Sequence, residues 1–452
     1  MKHKITFLLF FLFPSLLIAG GESSHSIHFT YLWVIPFVGI LLSIAIFPLI
    51  NEHFWHKNFG KISALWALLF SIPFYFSFGQ ETLSYFTHAI LLEYIPFIVL
   101  LFALFTISGG IVLRGNFIGT PGLNLLFLLV GTLLASWMGT TGAAMLLIRP
   151  LIRANKWREN KTHIIVFFIF LVANIGGSLT PLGDPPLFIG FLKGIDFFWT
   201  TQHMFLPMLF VSSILILLFY FIDNYYYNKE LDNKPPKQSV NFSIQGKINF
   251  ILLLAVISSV ILSGIYTNDL GFISIFDNEI QISSLLRDIL LFSLGIISYK
   301  ITSIDLRNEN GFTWFPIMEV AKLFAGIFIT VIPALSILAD KQDVFKTLSS
   351  NIYFWLTGFL SGFLDNAPTY LVFFESAGGD PIKLMENIQI LLAISSGAVF
   401  MGAITYIGNA PNFMVRSIAE ENKIKMPGFF GYMLWSVLIL VPIFLLYSFI
   451  WF

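Results

Sequence analysis

Apolar stretches long enough to cross a bilayer recur from one end of this 452-residue chain to the other. No other feature restricts the fold as much. Backbone N–H and C=O groups in hydrocarbon need internal partners, which leaves only helices or a closed barrel. Continuous runs of about twenty apolar residues select helices. The chain is 57% hydrophobic and 11% charged, about half the charged share of a soluble domain. It therefore reads as an all-α polytopic membrane protein. Full spans are expected at about 31–51, 61–79, 86–112, 162–192, 203–223, 247–266, 284–302, 317–338, 386–415 and 428–451. Net charge is zero, so nothing points to nucleic acid as a partner. The absence of cysteine excludes disulfides and thiolate metal sites. The eight histidines are scattered, without HxH or HExxH spacing.

Residues 1–20 have a basic start, a short apolar run and small residues after it, the pattern of a signal peptide. The alternative is a retained first helix. Two segments, about 120–155 and 350–378, differ from the spans. Each is an apolar arm, a polar kink and a shorter apolar arm, with kinks at "SWMGTTGA" (136–143) and "SGFLDNAPT" (361–369). Both read as re-entrant helical hairpins. On this map eighteen Lys/Arg fall on the cytoplasmic side and five outside, with Lys2 and Lys4 in the leader-like start. That bias satisfies the positive-inside rule and places both mature termini outside the cytoplasm. The expectation is a multi-pass protein of the cell inner membrane. Residues 227–246 fall in a polar, Pro-containing, basic stretch that reads as a cytoplasmic linker.

The linker separates two segments, 31–226 and 247–452, that match each other. At an offset of 226, "MGTTGA" (138–143) meets "LDNAPT" (364–369) and Glu93 meets Glu319. At an offset of 225, "GGSLTPLGDPP" (176–186) meets "MGAITYIGNAP" (401–411). Gly177, Thr180, Gly183 and Pro186 then meet Gly402, Thr405, Gly408 and Pro411, and Asp184 meets Asn409. Five spans plus a re-entrant hairpin make an odd number of crossings, so the second copy is expected upside down. Inverted repeats with broken helices point to a secondary transporter with its site at the repeat interface.

Helix breaks at depth free backbone groups and present half-helix ends to a ligand. Two clusters are expected, each local to one half. The first joins Ser136, Thr140 and Thr141 to Asn174, Thr180 and Asp184, with Gly183 at the break. The second joins Asp365, Asn366 and Thr369 to Thr405, Asn409 and Asn412, with Gly408 at the break. Ser395 and Ser396 lie just before it. Each cluster holds one carboxylate, whose counterpart in the other half is neutral. A carboxyl group in a membrane costs about 2.5–3.5 kcal/mol on insertion scales and is functional by default. Burial favours its protonated form and a bound cation its charged form. Asp184 and Asp365 are thus candidate ligands for a transported Na+ that competes with H+, and no resident cofactor is expected. The structural alternative is that both merely cap the half-helices that follow. Glu93 and Glu319 read as helix-dipole partners. Arg149 and Arg153 read as snorkelling anchors, and Lys193 and Arg416 as anchors or gates.

At "NIGGSLTPLGDPP" (174–186), "FLDNAPT" (363–369) and "GAITYIGNAPN" (402–412) the chain resembles the ion transporter superfamily. That group includes arsenite permeases, D-type sodium/proton antiporters and citrate or dicarboxylate carriers. The likeness runs over roughly residues 30–452. It implies two inverted repeats, each with a hairpin and an interrupted helix, in a homodimer. Carried over position by position, it supports Asn174, Thr180, Gly183, Asp184, Asp365, Asn366, Thr405, Gly408 and Asn409. One departure bears on substrate. The carboxylate carriers have Ser-Asn-Thr at both hairpin tips, whereas here the tips read "GTTG" and "LDNAPT". An acid at the second tip repels citrate and attracts a cation.

The leading reading is a sodium/proton antiporter. The alternative is a citrate or related carboxylate symporter coupled to Na+ or H+. A channel would need a filter or rings of identical residues, and an enzyme a nucleophile–base pair or metal cluster. Neither pattern is present in the sequence, and no nucleotide-binding GxxxxGK[ST] motif occurs. The chain is read as a non-enzyme whose partners are the bilayer and a small cation or carboxylate.

Overall fold

The computed structural model describes residues 27–230, 242–266, 269–345 and 347–452. The signal-peptide-like residues 1–20 and most of the expected linker lie outside them. Among the described residues, eight helices are long and apolar enough to cross a membrane, or up to nine if a bent pair is one span.

In the first half α1 (Ile35–Ile50) and α2 (Glu52–Phe78) lead into α3 (Glu81–Thr87). A π-helical turn over His88–Tyr94 carries α3 into α4 (Ile95–Ser108), and a short β1 (Val112–Arg114) follows. A hairpin of α5 (Pro121–Met138) and α6 (Thr140–Ala154) is next, then α7 (Thr162–Leu171). A 3-10 turn over Ile175–Ser178 precedes α8 (Pro185–Leu192) and the long α9 (Trp199–Lys229). The second half opens with β2 (Ser243–Gln245) and α10 (Ile248–Ile265). The ribbon β3 (Phe272–Ile275) and β4 (Asn278–Gln281) leads to α11 (Ile282–Ile301) and a short α12 (Ile304–Glu309). Then come α13 (Phe315–Thr330), α14 (Ile332–Asp340) and α15 (Gln342–Phe345). The second hairpin is α16 (Ser350–Leu364) and α17 (Asn366–Ser376), followed by α18 (Pro381–Glu386) and α19 (Ile388–Met401). A 3-10 turn over Gly402–Ile404, α20 (Ala410–Glu421) and α21 (Phe429–Trp451) complete the chain.

Three expected spans are thus not single straight helices. Residues 162–192 and 386–415 break where Gly and Pro cannot continue a helix. The 317–338 span bends by 42° between α13 and α14, where Pro333 stands in the first turn of α14. The half-helices before the two breaks are among the most enclosed. Every residue of α7 after Thr162 is buried, while outer spans expose Phe76 and Phe449 almost entirely. Irregular backbone at membrane depth survives only inside protein, so the breaks occupy the core and the unbroken helices face lipid.

The two hairpins are built alike. Thr120 Oγ1 accepts from Leu123 N at 3.3 Å to cap α5, and Ser349 Oγ accepts from Ile352 N at 3.4 Å to cap α16. Around them, α2 packs against α13 and α4 against α11. The antiparallel pair β1–β2 sets Val112 opposite Gln245 and ties the halves together. Beside it, Arg114 Nη2 meets Glu309 Oε2 at 2.6 Å and holds that carboxyl below the usual carboxylate range.

The helix α9 overruns the expected start of the linker, and a buried polar network explains it. Asp223 accepts from Arg158 Nη2 at 2.6 Å, His163 Nε2 at 2.8 Å and Asn124 Nδ2 at 2.9 Å. Asn124 and Asn155 exchange amide bonds at 3.0 and 2.7 Å. Arg158, one of the basic residues on the cytoplasmic side of the charge map, is enclosed in the loop before α7. Removing Asp223 strands its charge, which costs about 3–5 kcal/mol. Asp223→Ala is therefore expected to lower the thermal unfolding temperature in detergent clearly, and unchanged unfolding would show that the network does not hold α9.

Candidate functional site

Four helices begin at one buried place. The hairpin tips start α6 after Gly139 and α17 after Asp365, and the breaks start α8 after Asp184 and α20 after Asn409. Asp184 lies at the centre, 1% exposed. Its carboxylate accepts from Thr140 Oγ1 at 3.1 Å, Asn409 Nδ2 at 2.8 Å and Asn366 Nδ2 at 2.5 Å. Three different helix starts thus converge on one carboxylate, and two of the donors come from the second half. Two separate clusters, each local to its half, are not what the contacts form: Asn366 and Asn409 reach across to Asp184. The reason is packing, because α17 lies against α8 and α20 against α6.

Behind the carboxylate runs a chain of amides. Asn174 Oδ1 accepts from Asn409 Nδ2 at 3.3 Å, and Asn174 Nδ2 donates to Asn412 Oδ1 at 2.7 Å. Asn412 Nδ2 then donates to the carbonyls of Gly402 and Thr405, both at 2.9 Å. The chain links the first break to the carbonyls freed at the second.

The threonines of the two breaks do the same job in both halves. Thr180 Oγ1 donates to the carbonyl of Ser136 and accepts from Leu182 N. Thr405 Oγ1 donates to Gly362 O at 2.5 Å and accepts from Ile407 N at 3.1 Å and Gly408 N at 3.3 Å. These hydroxyls clip each break to its hairpin. Ser136 adds to the first clip, donating to Gly176 O at 2.5 Å and accepting from Leu179 N at 3.0 Å. Thr369 Oγ1 is turned back to Asp365 O at 2.7 Å. Ser396 bonds Leu392 O within its own helix. Gly183 and Gly408 are dictated by close backbone approach. A Cβ on Gly183 would lie 2.1 Å from Gly177 O, and one on Gly408 2.5 Å from Gly402 O.

The two acids differ in what they do. Asp184 is the N-cap of α8 but makes no side-chain capping bond, so a mere cap does not account for it. Asp365 does cap α17, accepting from Ala367 N at 3.1 Å. It does so with φ at +94°, where Gly139 stands at +79° in the first hairpin. A non-glycine residue in that region stores strain of the kind that collects at functional sites.

A cavity of about 520 Å³ joins the acids. Thr140, Thr141, Gly183, Asp184, Asp365 and Asn409 line its inner end, and it runs out to exposed Thr313 and Glu421. Asp365 and Asn409 share this wall without a hydrogen bond between them. Arg149 and Glu319 also line it. His56, which carries no sequence signal, and Tyr406, which lies within the 402–412 motif, also line the wall. Among the described residues no group of three or more His, Cys, Asp or Glu could hold a metal ion. The donor set at the inner end is two carboxylates and neutral oxygens, suited to a hard monovalent cation rather than a transition metal.

The breaks should tolerate no added side chain. Gly183→Ala and Gly408→Ala are expected to lower the unfolding temperature, since overpacking costs about 1–3 kcal/mol or more. Gly122→Ala, with nothing within 4 Å of the added Cβ, is the control and should leave it unchanged.

Residues 26–452 match the family described as "Putative citrate transport". No curated protein matches the chain.

Proposed function

The chain belongs to the citrate transport family, a family of secondary transporters, and within it we propose that this member is a sodium/proton antiporter of the cell inner membrane. The observation that carries this reading is that the protein's own carboxylates occupy two of the four half-helix starts in the centre. Each start carries about half a positive charge, so together they offset about two carboxylates. In a carboxylate carrier those starts would be left open for the substrate's acid groups. Here they are already neutralised, which leaves no excess positive charge for a substrate's acid groups, while the carboxylate oxygens are ligands a cation can use.

The exchange follows from competition. With Asp184 and Asp365 charged, their oxygens and the neutral oxygens of Thr140, Asn366 and Asn409 accommodate Na+. A proton on either acid cancels the charge that holds it. The protein alternates Na+ and H+ on one set of groups, with the gradient of one driving the other. The halves act as inverted repeats whose relative movement carries the centre from face to face, with both termini outside the cytoplasm and two copies forming a homodimer.

Citrate symport is the second reading. The family description favours it, as does Arg149, a cation on the cavity wall. Vesicles holding a pH gradient separate the two. NaCl alone should collapse the gradient in wild type and fail to do so in Asp184→Asn and Asp365→Asn. The half-saturating Na+ concentration should rise as pH falls, because protons take the same groups. A gradient that stays intact until citrate is added would overturn the antiport reading in favour of the symporter.

A further inference from the structure

At one face of the molecule Lys193, at the end of α8, is locked between two acids. Its Nζ lies 2.7 Å from Glu93 Oε1 and 3.3 Å from Glu375 Oε1, and His88 Nε2 approaches Glu93 at 3.5 Å. All three members of the ion triad are largely enclosed. Glu93 belongs to the π-helical turn before α4, whereas Lys193 and Glu375 end α8 and α17, two helices that start at the buried centre, after Asp184 and Asp365. The network therefore ties the ends of α8 and α17 to the turn before α4, on the wall of a cavity of about 1240 Å³ whose lining includes neither Asp184 nor Asp365.

The other pair of central helices runs to the opposite end of α4. Arg153, at the end of α6, donates to Leu113 O at 3.0 Å, just beyond the end of α4. Fourteen residues of helix separate that end from the end at Glu93, about 21 Å at 1.5 Å per residue. The cavity from Asp184 opens along α6 and α20, on this second side.

The offset of 226 that takes Glu93 to Glu319 also takes Arg149 to Glu375. Both Glu319 and Arg149 line the cavity. Glu319 stands on α13, and Arg149 on the hairpin arm α6. As at the Lys193 network, an acid on an outer helix and a cation on a central one line one cavity; the charged neighbours of Arg149 here are Glu421 and Arg153, and that of Glu319 is His56. The cation has moved from the broken helix to the hairpin arm, so two residues suffice where the first face needs three. Arg416, near the position matching Lys193, is engaged with Glu420 at 3.0 Å instead. Among the described residues no ion pair joins Arg149 to Glu319. Arg149 lies against the loop at Gly311, where φ is +61° and a Cβ would come 2.1 Å from Nη2.

We propose that Arg149 and Glu319 are a second ion-pair gate, which closes the cavity in the alternate state of the transporter as the Lys193–Glu93–Glu375 network closes the opposite face in this one. Each gate forms only when the other parts, so the two pairs bias one equilibrium in opposite directions. The inference rests on the chain being an alternating-access transporter, and not on which ion it carries.

The cysteine-free chain allows a direct test. Long paired side chains hold their Cα atoms farther apart than a disulfide spans, so a short, reducible bis-methanethiosulfonate is the probe. Glu93→Cys with Lys193→Cys, and Arg149→Cys with Glu319→Cys, are made in the full chain in membranes, separately and all four together. Linked peptides are read by mass spectrometry, independently of transport. Both pairs should link when alone, either link should stop transport until it is reduced, and no chain should carry both links. Failure of the Arg149→Cys/Glu319→Cys pair to link while the other pair does, or chains carrying both links, overturns the proposal. Charge exchange gives a second reading. Arg149→Glu and Glu319→Arg should each slow transport by about tenfold, within the usual range of coupling between states, and the double exchange should recover most of it. No recovery in the double variant counts against the pair.

Discussion

The Asp184 carboxylate organises the centre of this protein. It accepts from a hairpin threonine of its own half and from two asparagines of the other. An acid in that position must have partners, since a buried charge without them costs several kcal/mol. Satisfying it requires both halves to be docked and both hairpins to be seated against the breaks. The arrangement of four helix starts around one point is therefore enforced by electrostatics as well as by apolar packing. Hydrophobic burial alone would not select it, because in a membrane lipid tails solvate apolar side chains as well as protein does.

The surrounding structure keeps that point rigid while leaving it reachable. Thr180 and Thr405 clip the breaks to the hairpins, glycine pairs let backbone pass backbone, and the asparagine chain ties one break to the other. The cavity that reaches Asp184 and Asp365 is lined along α6 and α20 and runs out to Thr313 and Glu421. The Lys193 network lies on a second cavity, of about 1240 Å³, whose lining includes neither acid. A fixed centre with unequal access from its two faces is the geometry a secondary transporter needs at one stage of its cycle.

Much of this could be read from the chain. Apolar runs fixed the membrane class and most of the spans, and Gly–Pro clusters marked both breaks and both hairpins. The offset repeat picked out Asp184, Asp365, Asn366 and Asn409 as residues to watch. Position along the chain could not say what each hydroxyl bonds. Thr180, Thr405 and Thr369 have the right chemistry for ion ligands, and their hydroxyls also donate to backbone carbonyls that hold the breaks and the second hairpin. The buried Arg158–Asp223–His163 network was hidden for a similar reason: its members are polar residues at the ends of apolar runs, which normally mark an interface with water.

The sequence by itself determined that the chain is a helical membrane protein, where its helices break, and which acids lie at the breaks. Those properties depend on hydropathy and on local backbone chemistry, and both are carried by neighbouring residues. Only the tertiary structure decided that the two expected clusters are one centre, that Asp184 rather than Asp365 is the shared acceptor, and that Arg149 and Glu319 face a cavity. These depend on α8 packing against α17 and α20 against α6, contacts between residues some 180 to 270 positions apart. The partner of a buried charge is set by which helix surfaces meet, and no local pattern encodes that.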